Sequence, residues 1–341
     1  MLFKNLPYFS LLTINLILSI FIILSANSWL LIWVGLELNL LSFIPIISSS
    51  NNIETEAIVK YFIIQAVASG IFFIRIISCF VSQEFYYYII IIIIISLLMK
   101  LGAAPCHFWF PIIINSINWI NCFILSTIQK LRPLILISVI LSRFNIYNIF
   151  SLIILNSIVG SLGGINQTQV RPLIAYSSIV HISWLLSLIY LSSNIIVIYL
   201  IIYLIILRIL FIQFILRRKL SLNQFNFKLF SSSSFSISLF FPLLSLAGLP
   251  PLIGFLPKWI AIYFLLERDQ NTIIFFLLFG TLIRLFYYLN LFFIIFLNRF
   301  KSKINFYNIS IIPIIFSITL FSIFIILIIN TYYAMIIFNK S

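Results

Sequence analysis

Acidic side chains are nearly missing from this chain: Asp and Glu together number 6 in 341 residues, and charged residues of all kinds make up 8%. Soluble globular domains carry about 25% charged residues, so a water-soluble globule is excluded. The three cysteines (Cys79, Cys106 and Cys122) sit in apolar surroundings at no metal-ligand spacing, and read as small core filler. Two histidines do not make a haem pair, and no cysteine cluster can hold iron and sulfur. There is no Gly-rich phosphate loop and no dinucleotide fingerprint. The chain is therefore expected to bind no cofactor and no metal of its own. If buried charges here drive transport, an ion gradient or a partner subunit must supply the energy.

What is present is hydrophobic residue, at 63% of the chain. A bilayer-spanning helix needs about 20 apolar residues, which leaves room for about eleven. The expected fold is an all-α polytopic membrane protein forming a single transmembrane domain over residues 1–341. Nothing before the first apolar run reads as a cleaved signal. Basic residues give a net charge of +14, but they are scattered among lipid-length apolar runs, so nucleic acid is not an expected partner. The run Ile89–Ile95 and the abundance of Ile, Phe, Asn and Tyr suit an AT-rich organelle gene.

The expected spans are Leu11–Ala26, Trp29–Ile47, Tyr61–Val81, Tyr86–Ala104, Ile120–Ser142 and Ile149–Gly163, followed by Ile174–Leu191, Ile195–Leu216, Phe235–Leu252, Thr272–Leu297 and Ile309–Ile329. Basic loop residues gather on the side that does not translocate. With the N-terminus on that side, it carries Lys4, Arg171, Arg217, Arg218, Lys219, Lys228, Arg299, Lys301 and Lys303. The opposite side carries Arg143, Arg268 and Lys340, with Lys258 near its edge. In a mitochondrion the N-terminus then lies in the matrix and the C-terminus in the intermembrane space, and the polar loop Arg217–Ser234 faces the matrix.

Two segments interrupt the helical pattern in a related way. One runs Lys100-Leu-Gly-Ala-Ala-Pro-Cys-His-Phe-Trp-Phe-Pro111, the other Leu246-Ala-Gly-Leu-Pro-Pro-Leu-Ile-Gly-Phe-Leu-Pro-Lys258. Proline removes a backbone donor and clashes with the preceding turn. Irregular backbone at membrane depth is tolerated only inside protein or beside a wet cavity. Paired interruptions in two halves of a chain point to repeats with an ion pathway between them, so Gly102, Pro105, Gly248 and Pro250 are expected helix breaks. The plainer alternative is two ordinary interfacial loops.

A charge at the centre of a bilayer costs about 2.5–3.5 kcal/mol on insertion scales, so the few charges inside spans are the main functional candidates. Glu37, in Trp33-Val-Gly-Leu-Glu37-Leu-Asn39, is the one acid deep in a span; Glu54, Glu56, Glu84, Glu267 and Asp269 are expected in loops. A lone buried carboxylate takes up a proton, whereas a nearby lysine holds it charged. Lys100 ends an apolar run before the first break, Lys130 lies inside a span, and Lys258 follows Pro257 at the second break. A row of lysines alternately charged and neutral can pass protons. Snorkelling to the interface is the alternative for Lys130 and Lys258, and the favoured one for Lys60 at the start of the third span. His107 and His181 are candidate relays, because imidazole titrates near neutrality; polar packing is their alternative. Arg75, in the third span, has no assigned partner.

Six segments stand out together: Trp33-Val-Gly-Leu-Glu37-Leu-Asn39-Leu-Leu-Ser-Phe-Ile-Pro45, Glu56-Ala-Ile-Val-Lys60-Tyr-Phe, Lys100 to Pro111, Gly163-Gly-Ile-Asn-Gln-Thr-Gln-Val-Arg171, Ala175-Tyr-Ser-Ser-Ile-Val-His181 and Gly248 to Trp259. In these segments the chain resembles the subunit 2 family of mitochondrial NADH–ubiquinone oxidoreductase, respiratory complex I, in its shortened animal form. The resemblance implies an antiporter-like subunit with inverted repeats and two broken helices, in the mitochondrial inner membrane. It implies Glu37 as the intramembrane glutamate, Lys100 as its paired lysine, Lys130 as the central lysine and Lys258 as the distal one. It implies proton translocation coupled to electron transfer from NADH to ubiquinone, with NADH, FMN, iron–sulfur clusters and ubiquinone handled by partner subunits. Other membrane-arm subunits, including antiporter-like neighbours, and the lipid cardiolipin are the expected partners. Cys106, Ile112 and Pro172 depart from the family pattern, which usually has Phe, Glu and a second basic residue there. Two rival readings are a structural membrane-arm subunit without an active channel and a stand-alone cation/proton antiporter.

Overall fold

The computed structural model describes residues 7–48, 51–81, 86–143, 149–191, 193–216 and 241–300. The expected span Ile309–Ile329, the loop Arg217–Ser234 and the C-terminus lie outside the described residues. Within them the chain is all helical. The helices are α1 (Pro7–Ser25), α2 (Trp29–Ile47), α3 (Asn52–Val81), α4 (Tyr86–Leu101), α5 (Trp109–Ser116), α6 (Trp119–Ser126) and α7 (Ile128–Arg143). Next come α8 (Ile149–Ile165), α9 (Val170–Leu191) and α10 (Ser193–Leu216). They are followed by α11 (residues 241–247), α12 (Leu256–Glu267) and α13 (Asn271–Phe300).

Among the described residues, 6 helical stretches are long and apolar enough to cross a membrane, including Trp29–Ile47, Trp119–Leu141 and Asn271–Leu291. Their apolarity runs all the way round. In α2, Leu36, Leu40 and Phe43 are buried, while Leu30, Leu31, Val34, Leu38 and Leu41 on the other face are exposed. A helix with no polar face is stable only inside protein or lipid, so the chain is a multi-pass membrane protein. What marks the inward face of α2 is polarity: Asn39 and Ser42 are buried.

The chain packs as two compact units, one of residues 1–156 with 171–179, the other of 157–170 with 180–341. In the first, α1 packs on α2, α2 on α3, α3 on α4 and α5, and α4 and α6 on α7. In the second, α12 packs on α10 and α13.

Several boundaries differ from the sequence expectation. Helix α3 begins at Asn52 rather than Tyr61, so Glu54 and Glu56 are helical, not loop residues, and Lys60 lies within the helix rather than at its start. Acids suit the first turn of a helix, where backbone N–H groups are unpaired, and Glu56 pairs with Lys60 one turn on. Helix α9 takes in Arg171 and Pro172 in its first turn, a place that tolerates proline. The span Ile120–Ser142 is divided at Thr127, where φ/ψ of −118/−81 leave the helical region. Helix α12 begins at Leu256, inside the second irregular stretch, with Pro257 in its first turn.

The ends of α4 and α11 share one hydrogen-bond pattern. Gly102 N–H donates to Met99 O and Ala103 N–H to Leu98 O; Gly248 N–H donates to Ser245 O and Leu249 N–H to Leu244 O. Both glycines have positive φ, +67° and +88°. This is the Schellman closure, which turns the chain sharply off a helix end at a left-handed residue.

Candidate functional site

In the first unit, α2, α4 and α7 bring Glu37, Lys100 and Lys130 into one region. Lys100 is the last-turn residue of α4 and is buried. The Glu37 carboxylate acts electrostatically on it, yet the two are not in ion-pair contact: among the described residues the one ion pair is Lys60 with Glu56. Glu37 Oε1 is buried with no hydrogen-bond partner.

Lys100 lines a small opening, together with Asn39, Tyr61, Gln65 and Gln129. Asn39 Nδ2 donates to Gln129 Oε1 at 2.5 Å, tying the helix of Glu37 to the helix of Lys130. Gln65 Nε2, Gln129 Nε2 and Asn39 Oδ1 are buried without a protein partner. Buried polar atoms of this kind are normally satisfied, by protein or by ordered water, so the opening suits water between Lys100 and α7. Pro133 supplies no N–H to the Gln129 carbonyl one turn back, which loosens the helix at this point.

Lys130 follows directly on Gln129 and is 4% exposed. Its amine lies 4.4 Å from the centroid of the Phe110 ring and has no hydrogen-bond partner. It is fully inside protein, which rules out snorkelling to an interface.

In the second unit, Lys258 is equally enclosed. Its Nζ donates to the carbonyls of Leu246 and Ala247 at 2.9 and 2.6 Å. These are the last carbonyls of α11, freed because the helix ends there. Gly248 makes room: a Cβ on it would lie 2.9 Å from Cδ and Cε of Lys258.

The remaining candidates have other partners. His107 hydrogen-bonds the Pro105 carbonyl at 3.2 Å and packs against Phe108 and Tyr176. Lys60 is exposed and pairs with Glu56. His181 is buried in the second unit, with Nδ1 at 2.7 Å from the Tyr199 hydroxyl.

Two buried arginines were not among the candidates. Arg132 is wholly buried and donates to Leu16 O and Gln129 Oε1. Arg284 is wholly buried and donates to Ala247 O at 3.5 Å. Both lie inside apolar spans, and the cost of an intramembrane charge is the signal that marks them.

The family model described as the NADH:quinone oxidoreductase/Mrp antiporter membrane domain matches residues 26–284. NADH-ubiquinone oxidoreductase chain 2 of Lumbricus terrestris is 38% identical, over 84% of this chain and 86% of that protein. The chain 2 of Aedes aegypti is 41% identical, over 85% and 86%. Among solved structures, respiratory complex I from Thermus thermophilus contains a chain with TM-score 0.73 and 22% identity, covering 84% of this chain and 70% of that one. The Mrp complex of Dietzia has one with TM-score 0.70 and 17% identity, covering 86% and 61%. Both structures share the antiporter-like fold.

Proposed function

The chain belongs to the NADH-ubiquinone oxidoreductase chain 2 family of antiporter-like membrane proteins, and on that premise we propose that it translocates protons as a membrane-arm subunit of NADH:ubiquinone oxidoreductase. One observation carries the reading: in one unit Lys100, Asn39 and Gln129 line a polar opening, beside which the next residue, Lys130, is buried, and Glu37 on the helix of Asn39 is not locked to Lys100 as an ion pair.

A locked pair would store charge and release none. A separated pair can tighten and loosen. At an effective dielectric of 20, two unit charges 4 Å apart interact by about 4 kcal/mol. Moving one charge against 100 mV takes about 2.3 kcal/mol. Motion of Glu37 toward or away from Lys100 is therefore strong enough to drive a proton on or off a neighbouring lysine. The Lys100 amine, the polar opening beside Gln129 and the Lys130 amine form the path in the first unit. Lys258 serves the same role in the second.

On this reading Gly102/Pro105 and Gly248/Pro250 are the broken transmembrane helices of two inverted repeats, within about eleven spans forming one module over residues 1–341. The protein lies in the mitochondrial inner membrane with its N-terminus in the matrix and its C-terminus in the intermembrane space. Other membrane-arm subunits and cardiolipin surround it. NADH, FMN, iron–sulfur clusters and ubiquinone are bound by partner subunits.

The test is the proton-to-electron ratio of assembled enzyme carrying Glu37→Gln or Lys100→Ala. The expected result is intact assembly with a lowered ratio. Assembled variants pumping at the normal ratio overturn the reading and leave a structural subunit. Purification of the chain alone, transporting cations in liposomes and free of flavin and iron–sulfur subunits, would favour an independent antiporter.

A further inference from the structure

We propose that Arg132 is a positioning residue for proton movement in the first unit: by donating to Gln129 it fixes which way the amides of Gln129 and Asn39 face the opening beside Lys100. This rests on the proton-translocating reading above and gives a role to a residue that has none there.

Gln129 and Arg132 are three positions apart on α7 and so share a face of that helix. Arg132 is wholly buried. Its Nη1 donates to Gln129 Oε1 at 3.3 Å, and its Nη2 donates to the Leu16 carbonyl of α1 at 2.5 Å. The same Gln129 oxygen accepts from Asn39 Nδ2 on α2. One amide oxygen thus collects two donors, one from its own helix and one from α2.

The Asn39–Gln129 bond alone has no fixed sense. If both amides turned over together, Gln129 Nε2 would donate to Asn39 Oδ1 and the bond would survive. An amide carries both donors and an acceptor, whereas a guanidinium carries donors only. A reversed Gln129 would set its own N–H groups against those of Arg132. Arg132 therefore holds the Gln129 oxygen toward itself and Asn39, and that oxygen in turn holds the Asn39 N–H.

The opening receives what is left over. Gln129 Nε2 and Asn39 Oδ1 are buried without a protein partner, and both residues line the opening with Lys100. A water seated between them accepts from Gln129 and donates to Asn39. Protons pass along hydrogen bonds from donor to acceptor, so the sense of these two bonds sets the sense of the path at Lys100. A tie between α7 and α1 needs no charge, and a charge inside the apolar stretch Trp119–Leu141 is costly. What a guanidinium adds, and a neutral amide in its place cannot, is a partner that only donates.

The experiment measures the proton-to-electron ratio of the assembled enzyme in coupled membranes for Arg132→Met, Arg132→Gln and Arg132→Lys. Methionine keeps much of the bulk and removes the donors. Glutamine offers an amide that can meet Gln129 in either sense. Lysine again offers donors only. The expected result is a lowered ratio for the first two, no lower than in Lys100→Ala, and a ratio restored to wild type in Arg132→Lys. If Arg132→Met does not assemble, the contrast between Arg132→Gln and Arg132→Lys decides. A normal ratio in Arg132→Gln, beside lowered ratios in Glu37→Gln and Lys100→Ala, overturns the positioning role and leaves the main reading standing. A ratio in Arg132→Lys as low as in Arg132→Gln also overturns it, and makes Arg132 a packing residue. Normal ratios in all of these variants overturn both readings.

Discussion

Lys258 and Arg284 donate to the same main-chain oxygen, that of Ala247, at 2.6 and 3.5 Å. The residues are 26 positions apart in sequence (284 − 258) and lie on different helices. Among the described residues, neither has an acid within ion-pair reach. Any proton on Lys258 is therefore held beside a permanent cation, with only peptide carbonyls to stabilise it.

Gly248→Ala should disrupt this arrangement. The added Cβ meets the Lys258 side chain, and an L residue at φ +88° costs about 1–2 kcal/mol. The expected outcome is less assembled enzyme and a lower thermal midpoint, measured by native electrophoresis and thermal inactivation. Wild-type abundance and midpoint would show that Lys258 has another route out of the clash.

Lys130→Arg separates charge from proton exchange. The guanidinium can sit over the Phe110 ring as the ammonium does, but it does not release its proton. Assembly should persist while the proton-to-electron ratio falls. An unchanged ratio would show that Lys130 supplies only a fixed charge.

The Asn39–Gln129 bond should register as coupling between two helices. Removing either partner by substitution to Ala unmakes the same 2.5 Å contact. A double-variant cycle on thermal stability of the assembled enzyme should give about 1 kcal/mol of interaction energy. Strict additivity would mean that the two amides do not meet.

Lys60→Ala should change little. The Lys60–Glu56 pair is exposed on both sides, and ion pairs of this kind are screened by solvent. The expected ratio is that of wild type. A lowered ratio would return Lys60 to the proton path.

Much of this arrangement is written locally. The bounds of α2 follow from Ser28, whose side chain caps the helix by accepting from Leu31 N–H, and from the apolar run behind it. The turns at Gly102 and Gly248 follow from a glycine with a nearby proline. The division at Thr127 has no such signal: the interruption contains neither glycine nor proline, and the Thr127 hydroxyl bonds the Phe123 carbonyl. The early start of α3 is masked by its polarity, although acids at a helix N-terminus and the Glu56–Lys60 spacing are helical features. Arg132 and Arg284 stand out as charges in apolar runs, but their partners include the carbonyls of Leu16 and Ala247, and a carbonyl belongs to every residue alike. Which helix end meets which side chain is decided by packing.

The acceptors that hold Lys258 come from the peptide chain itself, so no exchange of side chain at Leu246 or Ala247 can delete them while the backbone keeps its course. Those two positions are free to vary among residues of suitable bulk. The constraint falls instead on Gly248, which must stay small, and on the lysine, which must stay long enough to reach.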